Sequence, residues 1–165
     1  MSAGRTLRHL FTTHAATRRH FSRAVLDSID AAIGAAERRT SGEIRFVVES
    51  ALEWSDLRAG LTPRERAMQT FSDLHMWNTE LRNAVLIYVL MADRDVEIVA
   101  DRGATQVIAQ ADWEGVCRSM EARFRDGRFD EGAVAGVEAV GHLLERHFPA
   151  HGANRDELPN QPTLL

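Results

Sequence analysis

The stretch from Asn83 to Gly103 restricts this chain more than any other. Ala84 to Met91 is an unbroken run of β-branched, aromatic and aliphatic residues, the pattern of a strand covered on both faces. Asp93, Arg94 and Asp95 then supply a polar turn, after which Val96, Ile98 and Ala100 alternate with Glu97 and Asp101. The stretch therefore predicts a hairpin whose first strand is central. The rest of the chain must cover it.

The flanking segments supply that cover. Apolar residues from Phe21 to Arg38 recur at Phe21, Val25, Ile29, Ala32, Ile33 and Ala36, the stripe of an amphipathic helix. Thr40, Ser41 and Gly42 interrupt it, and Glu43 to Ser50 alternates as a strand, with Ile44, Phe46 and Val48 on one face. Thr62, Pro63 and Glu65 predict a capped helix start, and Ala67, Phe71, Leu74 and Asn78 mark its inward face. Beyond the hairpin, Gly103 to Gln110 reads as a short helix. Asp112 is the expected cap of a helix carrying Trp113, Val116, Cys117, Met120 and Phe124, which Gly127 ends. Asp130 is the expected cap of the last helix, striped by Ala133, Val134, Val137, Val140, Leu144 and Phe148 and stopped by Pro149. Right-handed crossover makes the first two strands parallel while the hairpin adds an antiparallel one. The expected fold is a three-layer α/β/α sandwich with a small mixed β-sheet flanked by helices.

A chain of 165 residues suits one domain, expected over 21–149, with a basic N-terminal arm over 1–20 and a C-terminal tail or surface strap over 150–165. The net charge of -4 conceals an asymmetry: Arg5, Arg8, Arg18, Arg19 and Arg23 all precede the first acidic residue, Asp27. Such an arm can meet nucleic acid, an acidic lipid surface or an acidic partner. Nucleic acid is not the expected partner, because chain ends are usually loosely held and a partly ordered arm is the expected reading. All the cations are arginine, which excludes lysine-based Schiff-base chemistry. The longest apolar run is too short to cross a bilayer, and the single cysteine, Cys117, has no partner for an internal disulfide. The expected location is cytoplasmic, with peripheral membrane attachment as a variant.

Several motifs carry a resemblance. Gly42-Glu43-Ile44-Arg45-Phe46-Val47-Val48, Val85-Leu86-Ile87-Tyr88, Ala92-Asp93-Arg94, the run from Val96 to Gly103, and Phe124-Arg125-Asp126-Gly127 resemble the TPM domain family over about residues 20 to 148. The chain is most similar to the soluble bacterial branch, in which Trp113, Cys117, His147-Phe148-Pro149 and Glu157-Leu158-Pro159 also recur. The resemblance implies the same sandwich. It also implies that divalent cations bind some members and that others are acid phosphatases or envelope proteins. Many relatives open the central strand with a carboxylate or amide, another amide and a glycine, where this chain has Arg82, Asn83 and Ala84.

If the first two strands are parallel, their N-terminal ends share a rim with the end of the third. Glu43, Glu80, Asn83 and Asp101 are then candidate oxygen ligands for calcium or magnesium. Arg82 and Arg102 are candidate anion contacts; they can equally pair with Glu43 and Glu80 as surface charges. Asp93, Asp95 and Glu97 lie at the opposite sheet edge, where turn chemistry explains them and a calcium loop lacks its further ligands. Cys117 shares a face with Val116, Met120 and Phe124 and reads as a packing residue rather than a nucleophile. The histidines lack metal-ligand spacing, and no Ser-His-Asp arrangement can be assigned.

These observations favour an interaction or regulatory module tuned by a divalent cation, with a membrane or envelope protein of the LemA type as the partner the resemblance implies. The alternative is a metal-assisted acid phosphatase acting on phosphomonoesters, with Asp101, Asn83 and Glu43 holding the ion.

Overall fold

The computed structural model describes residues 3–150 and 157–165. In chain order its elements are α1 (Ala3–Phe11), α2 (His14–His20), α3 (Arg23–Glu37), β1 (Ile44–Glu49), α4 (Trp54–Ala59), α5 (Pro63–Asp73), β2 (Val85–Leu90), β3 (Asp95–Ala100), α6 (Arg102–Thr105), α7 (Gln110–Arg125), α8 (Phe129–His147) and β4 (Thr163–Leu164). The hairpin forms as its sequence requires. β2 runs antiparallel to β3, from Val85 opposite Ala100 to Leu90 opposite Asp95. On its other side β2 runs parallel to β1, with Ile44 opposite Val85 and Glu49 opposite Leu90.

The sheet order is β3-β2-β1-β4, so β1 and β2 are interior and every residue in both is buried. Strand β4, which hydrophobic patterning did not reveal, pairs with β1 through Val47–Thr163 and Val48–Leu164. Two residues are too short to show a period, and only the pairing makes them a strand. The tail beyond residue 156 is therefore a strap.

Helices cover both faces. On one, Ile44, Phe46, Ile87 and Ile98 pack with Ile29 and Ile33 of α3, Trp113 and Met120 of α7, and Val137 and Leu144 of α8. On the other, Val47, Leu86, Tyr88 and Val99 lie beneath Leu57 of α4 and Ala67 and Phe71 of α5. Each such fully buried apolar side chain stabilises the fold by about 1.5–3 kcal/mol relative to exposure. The architecture is the expected α/β/α sandwich.

Local chemistry sets the helix ends. Thr62 Oγ1 accepts from Glu65 N, while Glu65 Oε2 accepts from Thr62 N, closing the capping box at Pro63. Gly127, at φ 77°, follows α7 in the left-handed conformation that glycine adopts without Cβ strain. Asp112 and Asp130 are not caps. Ala109 and Arg128 occupy those positions, leaving both aspartates in the first helical turn, where their charge favours the positive helix end. α5 stops at Asp73, so Asn78 is exposed and Met76 and Thr79 take the inward positions instead. α6 likewise ends at Thr105, and Gln110 opens α7.

The N-terminal segment differs most from a loosely held arm. It forms two helices, and Thr13 and Ser22 cap α2 and α3 through Ala16 N and Val25 N. Among the described residues no helix is long and apolar enough to cross a membrane.

Candidate functional site

The starts of β1 and β2 and the end of β3 share one rim of the sheet. Val85 N donates to Glu43 O at 2.8 Å and Asp101 N to Ala84 O at 2.9 Å, so Glu43, Ala84 and Asp101 extend β1, β2 and β3 by one row. Ala84 packs with Leu86 and Tyr88 on the α4–α5 face. The two-residue period of a strand puts Glu43 and Asp101 on that face and Asn83 on the other.

The side chains on this rim are committed to different degrees. Glu43 is 1% exposed, and its two oxygens accept from the strap amides, Oε1 from Glu157 N at 3.3 Å and Oε2 from Leu158 N at 3.1 Å. Asn83 is also buried, and its Nδ2 donates to Ser41 O at 3.1 Å, bracing the approach to β1. Asp101 Oδ1 accepts from Arg102 N at 2.6 Å and caps α6. Among the described residues its buried Oδ2 has no hydrogen-bond partner. Glu80 is exposed; its backbone N–H donates to Glu157 Oε1 at 3.3 Å.

A close backbone approach draws in the arginines. Gly103 N donates to Arg82 O at 2.8 Å, and a Cβ at Gly103 would come within 2.6 Å of that oxygen and 2.7 Å of Leu81 O. Only glycine fits there without a shift. Arg82, itself at φ 50°, and Arg102 are both exposed beside Asp101.

Carboxylate and amide oxygens are the donor chemistry of calcium and magnesium. Asp101 Oδ2 fits that chemistry, since a buried carboxylate oxygen without a donor is costly until something positive satisfies it. Among the described residues, however, no three His, Cys, Asp or Glu side chains form a group able to hold a metal ion. A cation here would begin from Asp101 and would have to recruit Glu43 from the strap or Glu80 from solvent.

The opposite sheet edge is held by ion pairs. Asp93 in the β2–β3 turn faces Arg5 at 2.8 Å, Arg8 at 3.4 Å and His9 at 3.2 Å. Burial acts to raise its carboxyl, but the hydrogen-bonded Arg5 and the adjacent His9 outweigh that and hold it below the usual carboxylate range. Asp95 is pushed up to about 6 by burial and then by Glu97, Glu121 and Asp93. Glu97 pairs with Arg64 at 3.3 Å. Burial, followed by Glu97 and Glu121, pushes the Cys117 thiol up to about 12, and the side chain packs on the core. It is a thiol, not a nucleophilic thiolate.

Three arrangements escaped the sequence reading. Arg5, Arg8 and His9 share one face of α1 at helical spacing, a pattern that signals charge without naming its partner. Glu49 accepts from both Arg66 and the Tyr88 hydroxyl in the core. Arg45 is 7% exposed and reaches the strap, donating to Pro159 O and to Thr163 Oγ1. Nothing in strand alternation signals either of these last two.

Comparison with known proteins gives a consistent result. The family described as the TPM domain matches residues 17–143. The solution structure of the BA42 protein from Bizionia argentinensis is similar at 35% identity with a TM-score of 0.77, covering 87% of this chain and 94% of that one. The N-terminal domain of a P. gingivalis protein is 18% identical with a TM-score of 0.61, covering 79% of this chain and 82% of that one. The N-terminal domain of the cg2496 protein from Corynebacterium glutamicum is 15% identical with a TM-score of 0.55, covering 74% and 73%. These last two share the fold. No curated protein matches.

Proposed function

We propose that this chain, which belongs to the TPM domain family, is an interaction or regulatory module whose C-terminal strap responds to calcium or magnesium at the Asp101 rim. One observation carries the reading. The Glu43 carboxylate that holds the strap amides lies in the same sheet row as Asp101, whose Oδ2 has no hydrogen-bond partner among the described residues. A hard cation at Asp101 needs several oxygens, and Glu43 is an anionic candidate within the row. Recruiting Glu43 removes the acceptor that fixes Glu157 and Leu158. Cation binding is thereby coupled to strap release, and the uncovered rim is what a partner would read. The partner class carried forward is a membrane or envelope protein of the LemA type, met from the cytoplasm or its membrane surface.

Calorimetric titration with calcium, magnesium, manganese and zinc tests the site, and amide deuterium uptake at Leu158 tests the coupling. Binding lost in Asp101→Ala, with faster Leu158 exchange in the cation-bound protein, is the expected result. Heat retained in Asp101→Ala rejects the site; unchanged exchange at saturation rejects the coupling.

The second reading, a metal-assisted acid phosphatase, draws on Arg82 and Arg102. Both are exposed beside Asp101, where guanidinium groups can neutralise a phosphoryl group. It requires phosphomonoester hydrolysis that both a chelator and Asp101→Ala abolish.

A further inference from the structure

We infer that α1 is a membrane-contacting helix that seats the protein on an anionic lipid surface. The helix is inverted relative to an ordinary surface helix. Its polar face points at the body, where Arg5, Arg8 and His9 surround Asp93, and Arg8 Nε also donates to Ala92 O at 3.1 Å. His9 is 4% exposed, and its Nδ1 accepts from Leu52 N at 3.0 Å. The apolar face points away. Leu7, Leu10 and Phe11, spaced three and one residues apart on one side of the helix, are 53%, 62% and 78% exposed.

The body cannot reclaim this ridge by rotating the helix, because rotation would withdraw the arginines and His9 from Asp93. The ridge is thus held outward. Three large apolar side chains held outward together on one helix form a patch of the kind that marks a docking or membrane surface.

Charge identifies that phase. Up to Leu26 the sequence carries five arginines and no acidic residue, whereas the remainder holds fifteen arginines against twenty-four acidic residues. Arg18 and Arg19 of α2 are exposed. Arg5 and Arg8 are engaged by Asp93 and Arg23 by Asp27, so Arg18 and Arg19 supply the exposed positive charge. Large apolar side chains on a short helix, followed by such an arginine pair, form an interfacial pattern suited to anionic bilayers. A second copy fits less well. Three side chains fall short of the ~800 Å² per partner of a stable interface, and docking basic helices on another copy's acidic body is a contact that does not close.

Cosedimentation of the full chain with vesicles of equal parts phosphatidylglycerol and phosphatidylcholine tests this. Binding should fall about tenfold on phosphatidylcholine alone or at high salt. The pair Leu10→Asp with Phe11→Asp should lower it at least about tenfold without changing the melting temperature, since both positions are exposed. Leu7→Gln should act in the same direction and guards against a folding defect in the double variant. No binding to the anionic vesicles, binding that the variants retain, or a concentration-dependent dimer that they dissolve would overturn the assignment.

Discussion

Arg5 Nη2 lies 2.8 Å from Asp93 Oδ2, although the two residues stand 88 positions apart. The pair fastens the first helix to the turn of the central hairpin. The Asp93 side chain is 7% exposed and also serves His9 and Arg8. Asp93→Ala removes their common acceptor, leaving Arg5 with its bond to Leu61 O and the buried His9 Nε2 without its carboxylate. We expect a loss of about 2 kcal/mol, moderated because Arg8 keeps much of its surface in water. The folded carboxyl is held low, so its contribution is present above the ordinary aspartate value and disappears as pH falls through the lower folded one. Urea denaturation at neutral and acid pH should show the acid loss shrinking in Asp93→Asn.

The hairpin and both core faces were readable because β2 and the helices α3, α7 and α8 carry strong apolar periods. The clasp at Asp93 was harder to read, since a basic run signals charge without saying what meets it. The rim was legible in part. Topology brought Glu43 and Asp101 into one row, but the strap amides that occupy Glu43 come from residues 157 and 158, where the sequence shows no period. Asn83 precedes β2 at the rim but braces Ser41 from the other side of the strand. Strand order says which residues share an edge; it does not say which already have partners.

Asp95 works against the fold at neutral pH. Burial and then Glu97, Glu121 and Asp93 raise its folded value to about 6, and its buried Oδ1 has no hydrogen-bond partner among the described residues. A raised carboxyl favours the folded state fully only below the unfolded value, and that advantage is lost as pH rises through about 6. Asp95→Asn should therefore stabilise the protein above that point, by roughly 1 kcal/mol after allowing for solvent screening, with little effect near pH 4. Paired denaturation curves at the two pH values decide it.

Buried Glu49 and Tyr88 and part-buried Arg66 form one unit on the α5 side of the sheet. Tyr88 Oη donates to Glu49 Oε2 at 2.5 Å, and Arg66 grips both carboxylate oxygens at 2.9 and 3.1 Å. Burial and then Glu49 drive the Tyr88 phenol upward, which keeps it a neutral donor. Tyr88→Phe should cost about 1–2 kcal/mol and Glu49→Gln about 2–3 kcal/mol, since the latter leaves a guanidinium without its anion. The double variant should lose less than the two singles together, by on the order of 1 kcal/mol, because each disables the same unit. A denaturation double-mutant cycle measures that coupling.

Gly103 decides whether the rim keeps its shape. Its N–H donates to Arg82 O at 2.8 Å, while Asp101, two residues earlier, caps the same turn. Gly103→Ala would put a methyl carbon 2.6 Å from Arg82 O and 2.7 Å from Leu81 O. Both neighbours are backbone, which cannot swing aside as a side chain can. The turn must move, at an expected cost of about 1–3 kcal/mol. α6 would then shift away from the β2 approach, taking Asp101 with it. Cation binding at the rim should weaken along with stability, whereas an alanine at exposed Arg82 should leave stability within about 0.5 kcal/mol. Thermal melts with calorimetric titration of the two variants separate these effects. A Gly103→Ala protein as stable as the parent, binding calcium equally well, would mean that the close approach does not shape the rim.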